Sequence, residues 1–252
     1  MFKVYYRVIK EKYLKGILMR KNIVVLSGAG ISAESGIETF RDADGLWQGH
    51  DVMAVASPHG WREDPKLVLE FYNRRRHELL NVTPNIAHQT LVMLEKSFNV
   101  TIVTQNVDDL HERAGSSNVL HLHGELLKAQ STQNSDLVYP CLKDISLGDF
   151  CELGSQLRPY IVWFGEEVPK LNDAILQVTK ADIIIIVGTS MQVYPAAGLV
   201  SFVPKDTPIY YIDPSPAVND ALACADNVTL IKKNASQGVV DLAKKLSLIH
   251  IV

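Results

Sequence analysis

Ile23-Val-Val-Leu-Ser-Gly-Ala-Gly-Ile-Ser-Ala-Glu-Ser-Gly36 joins an uninterrupted apolar run to a loop carrying three glycines. The run from Ile23 to Leu26 reads as a buried strand, and Ser27-Gly-Ala-Gly stops it abruptly. Gly28, Gly30 and Gly36 let the backbone turn tightly and come close to a pyrophosphate at the start of a helix, which points to dinucleotide binding. The spacing is not the dehydrogenase G-x-G-x-x-G, because position 33 is Ala, and a plain structural turn is an equal reading of the loop by itself. Short apolar runs recur at Val100 to Val103, Ile183 to Val187, Ile209 to Ile212 and Val228 to Ile231. Segments with helical spacing separate most of them: Leu67 to Leu80, Ile86 to Leu94 and Val239 to Leu246. The alternation predicts an α/β fold, a Rossmann-like, doubly wound parallel sheet covered on both faces. Two stretches, about 40–84 and 125–158, are too long for crossover loops and are expected to build a second, smaller lobe by insertion.

The 252 residues, 47% hydrophobic and 21% charged, are enough to bury a sizeable core and exclude a disordered or fibrous chain. A net charge of −3 gives no electrostatic reason to expect direct nucleic-acid binding. The longest purely aliphatic run, Ile183 to Val187, is far below the ~20 residues of a membrane span, so no membrane partner is expected. Cys141, Cys151 and Cys224 are too few for a disulfide framework and fit a cytoplasmic location. The first eighteen residues scatter Lys3, Arg7, Lys10, Lys12 and Lys15 among apolar ones without a secretory core. Residues 1–20 are expected to be an extension, with Met19 a candidate start, and 21–252 a single catalytic domain. No heptad pattern appears, so a monomer is expected.

In an open parallel sheet the loops at the carboxyl ends of the strands face one crevice. Gly188-Thr-Ser190 follows the run 183–187 and Asp213 follows 209–212, so both fall on the edge that carries Gly28. Thr189 and Ser190 can donate to phosphate or ribose and Asp213 can accept from ribose hydroxyls; helix capping is the alternative for Ser190 and Asp213. Gln105, Asn106 and Asp108 lie just past Val103, suited to a ribose or an amide, or simply to a turn, which the residues by themselves favour. His121-Leu-His123-Gly124 puts two imidazoles on one side of an extended segment. A histidine with a pKa near ~6.5 can take a proton from a hydroxyl, whereas a bonded structural pair is the commoner use of an isolated H-x-H, and no third ligand matches a metal site.

Taken together, Gly28 to Arg41, Pro84-Asn-Ile-Ala-His88, Thr104-Gln-Asn-Val-Asp108, His111-Glu-Arg-Ala-Gly115, His121-Leu-His-Gly124, Arg158-Pro-Tyr-Ile-Val-Trp-Phe-Gly-Glu166 and Gly188-Thr-Ser190 form an ordered set. In these blocks the chain resembles the sirtuins, NAD-dependent protein lysine deacylases, from about Lys21 to the C-terminus. The resemblance implies that NAD is consumed: the acyl-lysine amide oxygen attacks the nicotinamide ribose, nicotinamide leaves, and His123 acts as catalytic base for a ribose hydroxyl. Products would be free lysine, nicotinamide and O-acyl-ADP-ribose. It assigns to NAD the loop from Gly28, Ala29, Gly30, Ser32 and Glu34 through Phe40, Arg41 and Trp47. It assigns to the cofactor also Gln105, Asn106, Asp108, Gly188, Thr189, Ser190, Asp213, Pro214, Ser215 and Ala235. Val162, Trp163, Phe164, Gly165 and Glu166 would form the strand that pairs with the substrate peptide and walls the acyl-lysine tunnel.

Two departures matter. Sirtuins usually hold a structural zinc with two C-x2-C pairs, but here Ser131 and Asn134 stand near the first pair and only Cys151 near the second, with Cys141 apart. No zinc is therefore expected, and Leu137, Tyr139, Leu142, Ile145 and Phe150 are expected to hold the small lobe by packing. Tyr72 and Arg75, three apart on a helical segment, occupy the place of the Tyr-x-x-Arg pair of class III sirtuins, which favour succinyl- and malonyl-lysine over acetyl-lysine. An arginine run is by itself more often a solvated face. Asp109, where many deacetylases have Gly, is a further departure. Other readings of the same residues are transfer of ADP-ribose to an acceptor, or a non-catalytic NAD-sensing module.

Overall fold

The computed structural model describes residues 20–39, 46–47, 49–223, 225 and 227–249. Phe40, Arg41, Cys224 and the proposed extension up to residue 19 lie outside the described residues.

Six parallel strands form the main sheet in the order Val228–Ile231, Ile209–Ile212, Ile183–Val187, Asn22–Ser27, Asn99–Thr104, Val119–His121. In chain order this is the doubly wound arrangement, whose winding reverses beside the strand Asn22–Ser27. Alternation along the central strands feeds two cores. Ile23, Val25, Ile183 and Ile185 meet the helices Ile86–Leu94 and Ala235–Ile249 on one face. Val24, Leu26, Ile184 and Ile186 meet Leu171–Val178 and the 3-10 stretch Ala196–Phe202 on the other. Continuous apolar runs are thus what a sheet covered on both sides demands.

The insertions form the expected smaller lobe. Helices Val52–Val55, Pro58–Glu63 and Pro65–Leu80 pack beside a three-stranded antiparallel sheet of Val138–Pro140, Gly124–Ser131 and Leu157–Ile161. Val68, Phe71, Tyr72 and Leu79 share a core there with Leu126, Ile161 and Trp163. Ile145 is buried as expected, but Leu142 and Phe150 are 61% and 60% exposed and do not hold the lobe. Hydrogen bonds replace them: Asn73 on the long helix bonds the Ile145 backbone on both sides, Nδ2 to its carbonyl and Oδ1 from its amide.

Behind the sheet's central loop, His88 and His111 are fully buried with ring centroids 4.9 Å apart. His88 Nδ1 accepts from the Asn85 amide, closing a capping box, and His111 Nε2 bonds Ser27 Oγ at 3.0 Å. Burial pushes the His88 pKa down to about 4 and that of His111 well below its ordinary value. The unfolded chain, with histidines near ~6.5, binds protons that the folded chain refuses, so stability falls as pH drops through this window. Urea unfolding at pH 5 should give about 2 kcal/mol less stability than at pH 7 from His88 alone. A His88→Gln variant should flatten that dependence, and an unchanged slope would remove His88 as its cause.

Candidate active site

The site begins at the topological switch. Gly28 N–H donates to the Val187 carbonyl at 3.1 Å and Gly30 N–H to the Gly188 carbonyl at 2.7 Å, so two loops lie backbone on backbone. A Cβ on Gly28 would stand 2.7 Å from Thr189 Cβ, and one on Gly30 2.7 Å from Gly188 Cα. These glycines are there so that loop can touch loop, a reason distinct from ligand approach. Past Gly28 the chain does not enter an α-helix, as the sequence leads one to expect, but makes two 3-10 turns, Ala29–Ile31 and Ala33–Ser35, ended by Gly36 at φ +97°. Ser32 breaks the run because its side chain turns inward. It donates to Asp108 Oδ2 at 2.9 Å and accepts from Asn106 Nδ2 at 3.1 Å. Asp108 also accepts from the Leu110 amide, and burial raises its pKa against these bonds. Gln105 Nε2 reaches Thr189 Oγ1 at 3.0 Å and ties the loop after Thr104 to the Gly188 loop.

A cavity of about 240 Å³ opens here, lined by Gly28, Ala29, Gly30, Gln105, Asn106, Asp108, Gly188, Thr189 and Ser190. His123 lines it too, its Nδ1 3.1 Å from the Gln105 carbonyl. A carbonyl only accepts, so Nδ1 carries the hydrogen and Nε2 the lone pair. Burial lowers the His123 pKa, partly offset by that hydrogen bond, and the ring is neutral at pH 7. His121 reaches the same loop but is not among the cavity residues: it bonds the Asn106 carbonyl and Glu112. Gly124, at φ +84°, would put a Cβ 2.1 Å from the Tyr160 carbonyl, so its role is close approach of the strand Leu157–Ile161.

The cavity is also lined by Tyr72 and Arg75 from the helix Pro65–Leu80, with Trp47, Glu38 and Glu78. Arg75 is 7% exposed, its guanidinium 4.3 Å over the Trp47 ring, and its Nε and Nη1 have no hydrogen-bond partner among the described residues. Burial lowers its pKa, opposed by Tyr72, Glu78 and Glu38. Tyr72 is fully buried and accepts from Trp163 Nε1 at 3.1 Å, which leaves its own O–H to donate; burial raises its pKa. The three-residue spacing of Glu78 from Arg75 was the available signal for Glu78. The Tyr72–Trp163 bond, between residues 91 apart, had none.

Val162 to Glu166 line the cavity, but the regular strand ends at Ile161. Val162 N–H is used by the His123 carbonyl and Phe164 N–H by that of Ala56, while Gly165 turns the chain at φ +90°. Glu166 closes the turn, accepting from the Trp163 amide and from Arg158, both at 2.8 Å, with Arg158 3.9 Å over the Trp163 ring.

Asp213, Pro214, Ser215, Ala235, Ser32 and Glu34 do not line this cavity. Asp213 is buried and accepts from Ser215 N at 2.8 Å, a turn bond; Glu34 accepts from Ser236 N at the start of the last helix; Ala235 packs in the core. In the small lobe, Ser131 Oγ, Ser155 Oγ and Cys151 Sγ bond one another, Ser131 to Ser155 at 2.8 Å and Cys151 to Ser155 at 3.1 Å. Ser131 Oγ also accepts from the amides of Gln133 and Asn134. One thiol with two hydroxyls already satisfied by neighbours is not a tetrathiolate donor set, so the residues do not fit a structural zinc.

Residues 28–195 match the Sir2 family. A Helicobacter pylori protein named NAD-dependent protein deacylase is 59% identical over 226 residues, covering 90% of this chain and 97% of that protein. A Bacteroides thetaiotaomicron protein of the same name is 51% identical over 232 residues, covering 90% and 98%. Among solved structures, a Sir2 homologue in complex with NAD superposes with TM-score 0.80 at 38% identity, covering 95% of this chain and 94% of that one. Sir2 bound to an acetylated peptide gives 0.74 at 26%, covering 94% and 98%. The chain belongs to the Sir2 family. Among the described residues no helix is long and apolar enough to cross a membrane.

Proposed function

We propose that this Sir2-family enzyme is an NAD-dependent protein deacylase that favours acyl-lysines ending in a carboxylate, succinyl and malonyl, over acetyl. The observation that carries the preference is Arg75, a buried guanidinium that lines the cavity also holding His123 and whose Nε and Nη1 have no hydrogen-bond partner among the described residues. A carboxylate brought there gains charge-assisted, forked hydrogen bonds, with the Tyr72 hydroxyl as a further donor.

The residues fit NAD as co-substrate. The touching loops at Gly28, Gly30 and Gly188 shape one wall, and Gln105, Asn106, Asp108, Thr189 and Ser190 supply donors and acceptors along it. Phe40 and Arg41 belong to the same segment by sequence. When bound, NAD supplies an electrophilic ribose carbon with nicotinamide as leaving group. The chain's own task is then positional and protonic. Ser32 fixes the side chains of Asn106 and Asp108, and neutral His123 takes a hydroxyl proton at Nε2. Acylated proteins are the partners, their lysine entering past Val162, Trp163, Phe164, Gly165 and Glu166.

Mass spectrometry of one lysine peptide bearing acetyl, malonyl or succinyl groups, with and without NAD, tests both layers. NAD-dependent loss of the acidic acyls ahead of acetyl is expected. Loss of acetyl alone would overturn the preference, and no NAD-dependent loss would overturn the activity.

A further inference from the structure

His121 and His123 seize consecutive carbonyls of one loop. His123 Nδ1 bonds the Gln105 carbonyl at 3.1 Å and His121 Nδ1 the Asn106 carbonyl at 2.9 Å, while Leu122 between them is buried in the core. His121 differs in its second nitrogen, which lies 2.7 Å from Glu112 Oε1 on the helix Leu110–Ala114. A carbonyl and a carboxylate both only accept. Keeping both bonds therefore requires hydrogens on both ring nitrogens, which is the imidazolium; either neutral tautomer sets a lone pair against an oxygen.

The carbonyl that His121 holds belongs to the residue whose side chain bonds Ser32 and whose amide bonds Thr104 Oγ1. We infer that the His121–Glu112 pair is a proton-dependent positioning device: protonated, the ring ties the Asn106 carbonyl to Glu112 on the helix and so braces the cavity wall from Gln105 to Asp108; deprotonated, it can keep only one of the two bonds and the brace is broken. This rests on the reading that the wall binds NAD.

The surroundings support a charge on His121. Burial opposes it, but the bond and charge of Glu112, the Asn106 carbonyl and Glu125 together raise its pKa above the ordinary value. Facing it are Asp108 on the loop, His111 and Glu112 on the helix, and on the strand Gly124–Ser131 Glu125, which is ion-paired to Lys128. Three carboxylates outweigh one lysine, and buried His111 stays neutral, so the local field favours the cation. The pair contributes fully below the free-histidine value and fades as pH rises through the higher folded one.

The experiment is steady-state kinetics of the full chain from pH 6 to 9, together with NMR titration of the His121 ring, in wild type, Glu112→Gln and His121→Gln. KM for NAD should rise by about 2- to 10-fold as His121 titrates, the worth of one hydrogen bond, with kcat changing less. Glu112→Gln should move that rise to lower pH by ~1–3 units, and His121→Gln should abolish it. An Asn106 amide resonance tracking the ring titration reads the anchoring without turnover, so it stands even if the chain does not use NAD. A wild-type His121 titrating at or below pH ~6.5, or KM profiles that superimpose in wild type and Glu112→Gln, would overturn the inference.

Discussion

His123→Ala is expected to lower acyl-lysine turnover by about 10²–10⁴-fold while leaving NAD binding within a few-fold of wild type. The separation stems from what the ring touches. Among the described residues its one hydrogen bond is to the Gln105 carbonyl, and the Gln105 and Asn106 side chains are held independently, by Thr189 and by Ser32. Removing the imidazole takes away the cavity's neutral base and leaves the wall standing. The pH profile is a second reading of the same group. Burial lowers the His123 pKa, so the base stays unprotonated and the acid limb of turnover should lie below the ~6.5 of a free histidine. Calorimetric titration with NAD and nicotinamide release measured on one preparation check both parts. Steady-state release sustained at the wild-type rate over many turnovers, or loss of NAD affinity matching the loss of turnover, would reassign His123 to structure.

The parallel sheet was legible because its four central strands are buried on both faces, and unbroken runs such as Ile183 to Val187 admit few other readings. The helix Ile86–Leu94 was legible end to end from its spacing. The small lobe was legible only as a gap in the pattern. Its strands mix polar with apolar residues and Gly124–Ser131 carries a register break between Gly124 and Ala129, while its stability comes from residues far apart in sequence, as in Asn73 to Ile145, which is why Leu142 and Phe150 misled. The site obeyed the same division. Gly28, Gly188, Asn106 and His123 converge because they sit at strand ends, and strand ends could be read. The expected helix after Gly30 failed because Ser32 faces Asp108, a pairing across 76 positions that no local pattern records. Val162 to Glu166 departs from a strand for a related reason, since Glu166 folds back on the Trp163 amide and Gly165 turns the chain. Asp213 falls on the edge that the sequence indicated and accepts there from the Ser215 amide within its own turn.

Arg75→Met should cut kcat/KM for succinyl- and malonyl-lysine by about 30-fold or more, the 2–5 kcal/mol lost when a buried, hydrogen-bonded charge pair keeps only one partner. Acetyl-lysine offers no charge to pair, so its kcat/KM should hold or rise, and the ratio of the two substrates is the quantity to measure. The variant also carries a stability signature. In the free enzyme the guanidinium is stacked on Trp47, buried, and offset through space by Tyr72, Glu78, Glu38 and Asp108, with Nε and Nη1 unbonded among the described residues. Methionine fills similar length without that desolvation, so thermal stability should not fall and is expected to increase. A buried cation that weakens the fold is retained where a ligand completes it, a trade familiar at binding sites. A competition assay with acetyl and succinyl peptides in one tube gives the ratio directly. Equal losses on both substrates with a lowered melting temperature would make Arg75 a scaffold residue and leave the acyl preference without its carrier.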